Sequence, residues 1–478
     1  MEKGLSKKYG LFTAIAMVVG IVIGSGVFFK AEAILTKTGG DMVTGILAWV
    51  IGGLIMMICA YTFAVMATKF EYVNGLVDYA EATAGKRYGY LVGWFMSTIY
   101  YPAMTSVLAW VSARYLCVLF GFDITGAQCM VIAGFFLIAS YALNALSPVL
   151  AGKFQVSTTV IKLVPLALMA VFGIIFGLKN GVLIENFTHV IPTVEIETAF
   201  AAAGKTYAPS SSPFLASVVA AAFAYEGWII ATCINSEVRD SKKNLPRALV
   251  IGTAIITATY ILYYIGLSGA IDKLSLMISG EAGARTAFTN LFTSAGGTLL
   301  GVFIVVSCLG TLNGLMLGCT RGFYSLAARN AGPRPDILKQ VDPATNMPSN
   351  SAVMALLVCS MWLVYFFGAN LTGPAWFGPF CFDSSELPII TIYAFYIPVF
   401  LIYMKKSKSL EIGVFKGKVM PILATCGCLF MVFAACMAHG IAVLFYLVIF
   451  AVIMVVGNLF YGRRRIEAAE ADKTSSNT

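Results

Sequence analysis

Residues 16–28 read Ala-Met-Val-Val-Gly-Ile-Val-Ile-Gly-Ser-Gly-Val-Phe, the middle of an apolar run that opens near residue 10. A helix that crosses a membrane needs about 20 mostly apolar residues. This run supplies them, yet it places Gly20, Gly24, Ser25 and Gly26 at its centre. Each glycine costs a helix interior about 1 kcal/mol relative to alanine. A single glycine is explained by close packing, because small residues let backbones approach in membranes. Gly24-Ser25-Gly26 together predict an unwound turn at mid-span. Where a helix restarts after such a turn, its first amides have no partner within the helix and sit at its positive end. That arrangement suits a carboxylate.

Working outward, apolar runs of spanning length recur as far as residue 461. They predict about twelve helices near 10–31, 42–68, 86–119, 126–146, 151–178, 212–237, 246–270, 295–329, 349–369, 384–404, 418–438 and 440–461. With 59% hydrophobic and 12% charged residues and a mean hydropathy of +0.85, against about 25% charged in soluble domains, a soluble globular protein is excluded. The fold class is an all-α integral membrane protein. Its parts are a cytoplasmic N-terminus (1–9), a core of spans one to ten (10–404), spans eleven and twelve (405–461) and a cytoplasmic tail (462–478). Residues 466–478 read as a short disordered end. The first run has no Ala-x-Ala cleavage signal and is read as a retained span.

Most of the 32 lysines and arginines lie in segments on the side of the N-terminus, which orients both termini to the cytoplasm. Lys30, Lys37, Arg114, Lys179, Lys205, Lys273 and Arg285 lie opposite. The formal charge of +9 is thereby explained by topology and calls for no nucleic-acid partner. The eleven cysteines fall mostly inside apolar runs, and Cys426-Gly-Cys428 is too short for a metal or disulfide motif, so they read as small packing residues. No metal or cofactor is expected.

Span six repeats the interruption. Phe223-Ala224-Tyr225-Glu226-Gly227-Trp228 is again central, and again in the first helix of a five-span unit. Transporters built from inverted repeats carry paired interruptions at corresponding positions of their halves. Carbonyls freed near Ile23 and Phe223 would accept hydrogen bonds from an ammonium. The two breaks together fit an amphoteric ligand.

Ionisable residues inside spans are costly and usually functional. Lys162, in the apolar stretch Val160-Ile-Lys-Leu-Val-Pro165, either snorkels to the interface or is a fixed ammonium standing where a sodium-coupled transporter holds its ion. Glu226, within the second break, is a structural ion-paired carboxylate, a contact for the ligand side chain, or a proton-coupling group. Asp383 and Glu386 open span ten, as rim or helix N-terminal acids or as gating groups. Tyr100 and Tyr101, before Pro102 in span three, and Phe223, Tyr225 and Trp228 could close such a site.

On these residues the chain resembles the amino acid-polyamine-organocation superfamily, and within it the L-type amino acid transporters and their bacterial relatives. The matching segments are Ile23-Gly-Ser-Gly-Val27, Phe223-Ala-Tyr-Glu-Gly-Trp228, Asn235-Ser-Glu-Val-Arg-Asp-Ser-Lys-Lys-Asn-Leu-Pro-Arg247, Lys153-Phe-Gln155 with Lys162, and Ser307-Cys-Leu-Gly-Thr-Leu-Asn313-Gly314. The resemblance implies a LeuT-like fold, a 5+5 inverted repeat plus two helices with helices one and six unwound. It implies sodium-independent amino acid transport, usually by exchange, in the cell membrane. By the same resemblance the amides of Ser25 and Gly26 would bind the substrate carboxylate, and the carbonyls of Ile23 and Phe223 its ammonium. Phe223 would be the outer lid, Lys162 would bridge span five to the first break, and Asn313 would brace the scaffold. Glu226 departs from the commoner Gly or Asp at its position and leaves selectivity open. Eukaryotic relatives are disulfide-linked to a glycoprotein through the loop after span three. Gly121-Phe-Asp-Ile-Thr-Gly126 has no cysteine, so no such subunit is expected.

Two other readings stay open. A proton-coupled amino acid or polyamine symporter would use Glu226 or the span-ten acids, and a channel or nutrient sensor would share the fold. An enzyme is disfavoured, since the only histidines, His189 and His439, lie in an outer loop and at a span end.

Overall fold

The computed structural model describes residues 6–475 except 71, 211, 281, 373 and 374, and the side chains of these save residues 29 and 463–475. Eleven helices among the described residues are long and apolar enough to cross a membrane, and the bent pair Leu11–Val22 and Gly26–Lys37 makes a twelfth span. That pair is span one. Spans two to six are Met42–Lys69, Lys86–Phe120, Ala127–Leu146, Pro148–Asn180 and Pro213–Glu237. Spans seven to twelve are Ser241–Ala270, Ala282–Ala327, Ser349–Asn370, Leu387–Lys406, Phe415–His439 and Ala442–Gly462.

The chain breaks where its glycines cluster. In span one the helix ends at Val22, Ile23 turns to an extended ψ of 97°, and a new helix starts at Gly26, bent by 48° from the first. In span six the α-helix Pro213–Tyr225 ends at an extended Glu226. Gly227 then takes φ +105°, and a 3₁₀ helix carries on over Trp228–Glu237. That φ is open to glycine and strained for any residue with a Cβ.

The two broken spans run antiparallel with half against half. Leu11–Val22 packs on the 3₁₀ half of span six, and Gly26–Lys37 packs on Pro213–Tyr225. The most extensive packing elsewhere joins span two to span seven and span three to span eight. Partners are thus five apart in chain order, the pattern of two interlocked five-span units.

Span one runs on to Lys37, past the expected 31, and three further boundaries differ from the sequence reading. Span seven starts at Ser241 and not at 246, because Ser241-Lys-Lys-Asn is polar yet helical, and hydropathy marks the membrane rather than the helix. Span eight starts at Ala282, but Phe292 and Thr293 leave the helical region, Thr293 at φ +66°, so the straight part begins near the expected 295. The last helix continues to Ser475 where disorder was expected. Glu467-Ala-Ala-Glu-Ala holds strong helix formers and no breaker, so nothing stops it.

Candidate substrate site between the broken helices

The two breaks face each other across a small cavity of about 40 Å³. Gly24, Ser25 and Gly26 line it from one break and Phe223, Ala224, Glu226 and Gly227 from the other. Met104, Leu108 and Val111 of span three and Thr311 and Leu315 of span eight close the sides. The half-helices approach so closely that a Cβ on Gly26 would stand 3.1 Å from Ala224 Cα. Tyr225 is turned away from the cavity, donating from Oη to the Trp49 carbonyl at 3.0 Å.

Lys162 does not snorkel; it is fully buried. Its Nζ donates to the carbonyls of Gly20 at 2.8 Å and Ile23 at 2.5 Å, and to Thr311 Oγ1 at 3.2 Å. An unbroken helix would satisfy those carbonyls from Gly24 and Val27 amides, so the break is what frees them. Thr311 Oγ1 also lies 3.0 Å from the Ile23 carbonyl as a donor. The resemblance gives that carbonyl to a substrate ammonium. Here it is turned to Lys162 and Thr311, and Ile23 does not line the cavity.

Glu226 sits in the second break with its carboxylate buried. Oε1 accepts from Tyr100 Oη at 2.5 Å, whereas Oε2 is buried with no hydrogen-bond partner. Tyr100 ends a π-helical turn, Met96–Tyr100, just before Pro102. Proline has no N–H to give the Thr98 carbonyl. Trp362 Nε1 donates to it instead at 2.8 Å, which lets the turn persist inside the membrane. The extra residue of the turn faces Tyr100 to Glu226 and turns Tyr101 toward Gly318 of span eight, away from the cavity. Asn313 braces the scaffold, donating to Gln155 Oε1 at 2.8 Å and accepting from Asn144 Nδ2 at 2.9 Å.

A model of the amino acid permease family matches residues 9–458. The chain belongs to the amino acid permease family. The permease is 31% identical over 435 residues to the serine/threonine exchanger SteT of Bacillus subtilis (strain 168), covering 90% of this chain and 91% of that one. It is 22% identical over 352 residues to the human cystine/glutamate transporter, covering 73% and 66% of the two chains. To the large neutral amino acids transporter small subunit 2 of Mus musculus it is 24% identical over 376 residues, covering 75% and 65%.

The permease is closed on both sides of this cavity. On the face that bears its N-terminus, Arg321 of span eight pairs through two nitrogens with Glu237, the last residue of span six, and both side chains are buried. Residues 8 and 9 lie along the same corner, where Lys8 and Tyr9 amides donate to the Glu237 carbonyl at 2.8 and 3.0 Å. The Arg239 amide donates to the Tyr9 carbonyl at 2.8 Å, and Lys8 Nζ reaches Glu237 Oε2 at 3.5 Å. On the opposite face Phe223 caps the cavity and Lys30 Nζ lies 4.5 Å above its ring. Lys30 pairs with Glu386 at 2.5 Å, and His439 Nε2 lies 3.4 Å from the other oxygen of Glu386. Above the ring a vestibule of about 160 Å³ is lined by Lys30, Arg114, Asp383 and Glu386. Lys30 and Arg114 entered the sequence reading only as topology charges. Their one signal was position near span ends that approach span ten, which a linear sequence does not show.

Proposed function

We propose that this permease is a sodium-independent exchanger of small neutral amino acids, working by alternating access with the N-terminal face toward the cytoplasm of the cell membrane. The observation that carries the reading is the fully buried Lys162 ammonium on the Gly20 and Ile23 carbonyls. Carbonyls left unpaired inside a membrane cost several kcal/mol, and a diffusible cation is one way to satisfy them. A cation fixed to span five does the same at every turnover, so no sodium is required. The carboxylate of the substrate docks at the amides that open the helix at Gly26, and its ammonium at the carbonyl end of Pro213–Tyr225. The first of these ends carries a positive partial charge and the second a negative one.

Side-chain selection follows from the walls. Ala224, Gly26 and the small cavity leave room for a short side chain. Glu226 Oε2, buried without a partner, is an acceptor suited to a hydroxyl donor. SteT, named for serine and threonine, supports the same class. The permease works without a disulfide-linked subunit, since Cys117 and Cys129 on either side of the loop after span three are both buried in the helices.

Countertransport in proteoliposomes tests this. Labelled serine is expected to enter only when unlabelled amino acid is inside, at the same rate with and without sodium. Uptake into empty vesicles driven by a proton gradient would replace exchange by symport. Lys162→Ala is expected to abolish exchange while the protein still purifies as a folded species; normal exchange in that variant would remove the lysine from the mechanism.

A further inference from the structure

Among the described residues, span nine lines no part of the central cavity, yet it is tied to the helix that does. Two hydrogen bonds join it to span three, one on each side of Pro102. Trp362 Nε1 donates to the Thr98 carbonyl at 2.8 Å, one turn before the proline. Ser106 Oγ, one turn after it, shares its proton between the Pro102 and Cys359 carbonyls, each at 2.6 Å. The stretch between is where span three changes phase, for the Tyr101 amide reaches back five residues to the Met96 carbonyl instead of four.

A π turn is rare, and it holds one residue more than the helix around it needs. Inside a membrane, every carbonyl it frees must find a donor within the protein. Pro102 has no N–H to offer Thr98. The indole of Trp362 does, and it is buried against span three. What hangs on the turn is the substrate site. Tyr100 is its last residue, and the Tyr100 hydroxyl donates to Glu226 Oε1 at 2.5 Å. With that oxygen taken, Oε2 is the one left for a ligand. Beyond the turn, Met104, Leu108 and Val111 repeat at helical spacing and share the face toward the cavity. A turn relaxed to the 3.6-residue period would rotate span three by about 100° across this point and take Tyr100 off Glu226.

We propose that Trp362 is a positioning residue for side-chain selection. Through the Thr98 carbonyl it holds the π turn, the turn aims Tyr100 at Glu226, and Tyr100 leaves Glu226 Oε2 to a substrate hydroxyl. This rests on the reading of Glu226 as the hydroxyl acceptor and not on exchange itself.

The test is binding of serine and of alanine to the purified permease by calorimetric titration, since the two ligands differ only by the hydroxyl. Wild type is expected to prefer serine. Trp362→Phe keeps an aromatic ring and loses the N–H. It is expected to lower the preference roughly fivefold, the worth of one hydrogen bond, with alanine affinity moving less than that of serine. Trp362→His is smaller but carries Nε2 at the ring position of the indole nitrogen, and is expected to keep most of the preference. Packing alone ranks the two variants the other way, because phenylalanine fills more of the space. That reversed order, an equal loss in both, or an unchanged preference in Trp362→Phe would overturn the positioning role. If Trp362→Phe does not fold, Trp362→Met takes its place, with the same loss expected and the same results overturning it. A wild type that binds the two amino acids equally overturns it as well. A wild type that prefers serine, loses that preference in Trp362→Phe and yet does not exchange serine supports the positioning role and counts against the exchanger reading alone.

Discussion

The permease closes its two faces by different physics. On the N-terminal face, Glu237 and Arg321 are buried together, and the backbone of residues 8 and 9 is hydrogen-bonded into the same corner. On the opposite face, the Lys30–Glu386 pair is partly open to water and rests on one aromatic ring. Undoing the first exposes two charges and several backbone groups that must find new partners. Undoing the second frees two side chains that already reach water. The difference teaches that separating the two faces takes unequal work, the buried pair costing more to break than the partly exposed one.

Breaking that contrast starts with the buried pair. Arg321→Met leaves the Glu237 carboxylate without its guanidinium, and removal of one partner from a buried pair costs about 3–5 kcal/mol. The expected outcome is a large loss of thermal stability in detergent, read by unfolding of the purified protein. A loss no greater than that of an outer-face variant would remove the asymmetry between the two faces.

Glu386→Gln tests the other side of the comparison. Because the pair it breaks keeps some access to water, stability should fall by less than in Arg321→Met. Exchange should continue, with the vestibule more easily opened. Unfolding curves of the two proteins side by side check the first statement. Cysteine labelling rates of a reporter placed beneath Phe223 check the second.

The smallest effect expected is one of pH. Burial pushes the Glu386 carboxyl up, but the Lys30 ammonium with its direct hydrogen bond, together with His439 and Lys37, outweighs burial and holds it below the ordinary carboxylate value. A depressed folded-state pKa means the contribution is present above the unfolded value of about 4.3 and is lost as pH falls through the folded one. The stability difference between wild type and Glu386→Gln should therefore be flat from about pH 5 to 8 and vanish only below about pH 4. A difference that disappears well above pH 5 would break the assignment to the Glu386 carboxyl.

The sequence made both breaks legible because glycine leaves a chemical mark that needs no partner to be seen. Gly24-Ser25-Gly26 and Glu226-Gly227 interrupt apolar runs, and the helices end there. Lys162 was legible as a charge inside a span, though its carbonyl partners follow only from the fold. The phase of span three was not legible. Tyr100 and Tyr101 are adjacent, and which one meets Glu226 depends on the π turn, whose added residue rotates everything after it by about 100° relative to a 3.6-residue period. The vestibule was hidden for a different reason. Lys30 and Glu386 lie 356 residues apart, and no local pattern reports a contact of that range.

Lys162 carries one more consequence, in terms of work rather than affinity. In the role proposed for it, a cation that never leaves the protein carries no charge across the membrane and draws on no sodium gradient. An exchanger built on it cannot accumulate its cargo against the sum of the pools. It brings the inside-to-outside ratio of each amino acid it accepts to one common value. The nutrient already held at high concentration inside thereby becomes the energy store that loads the others.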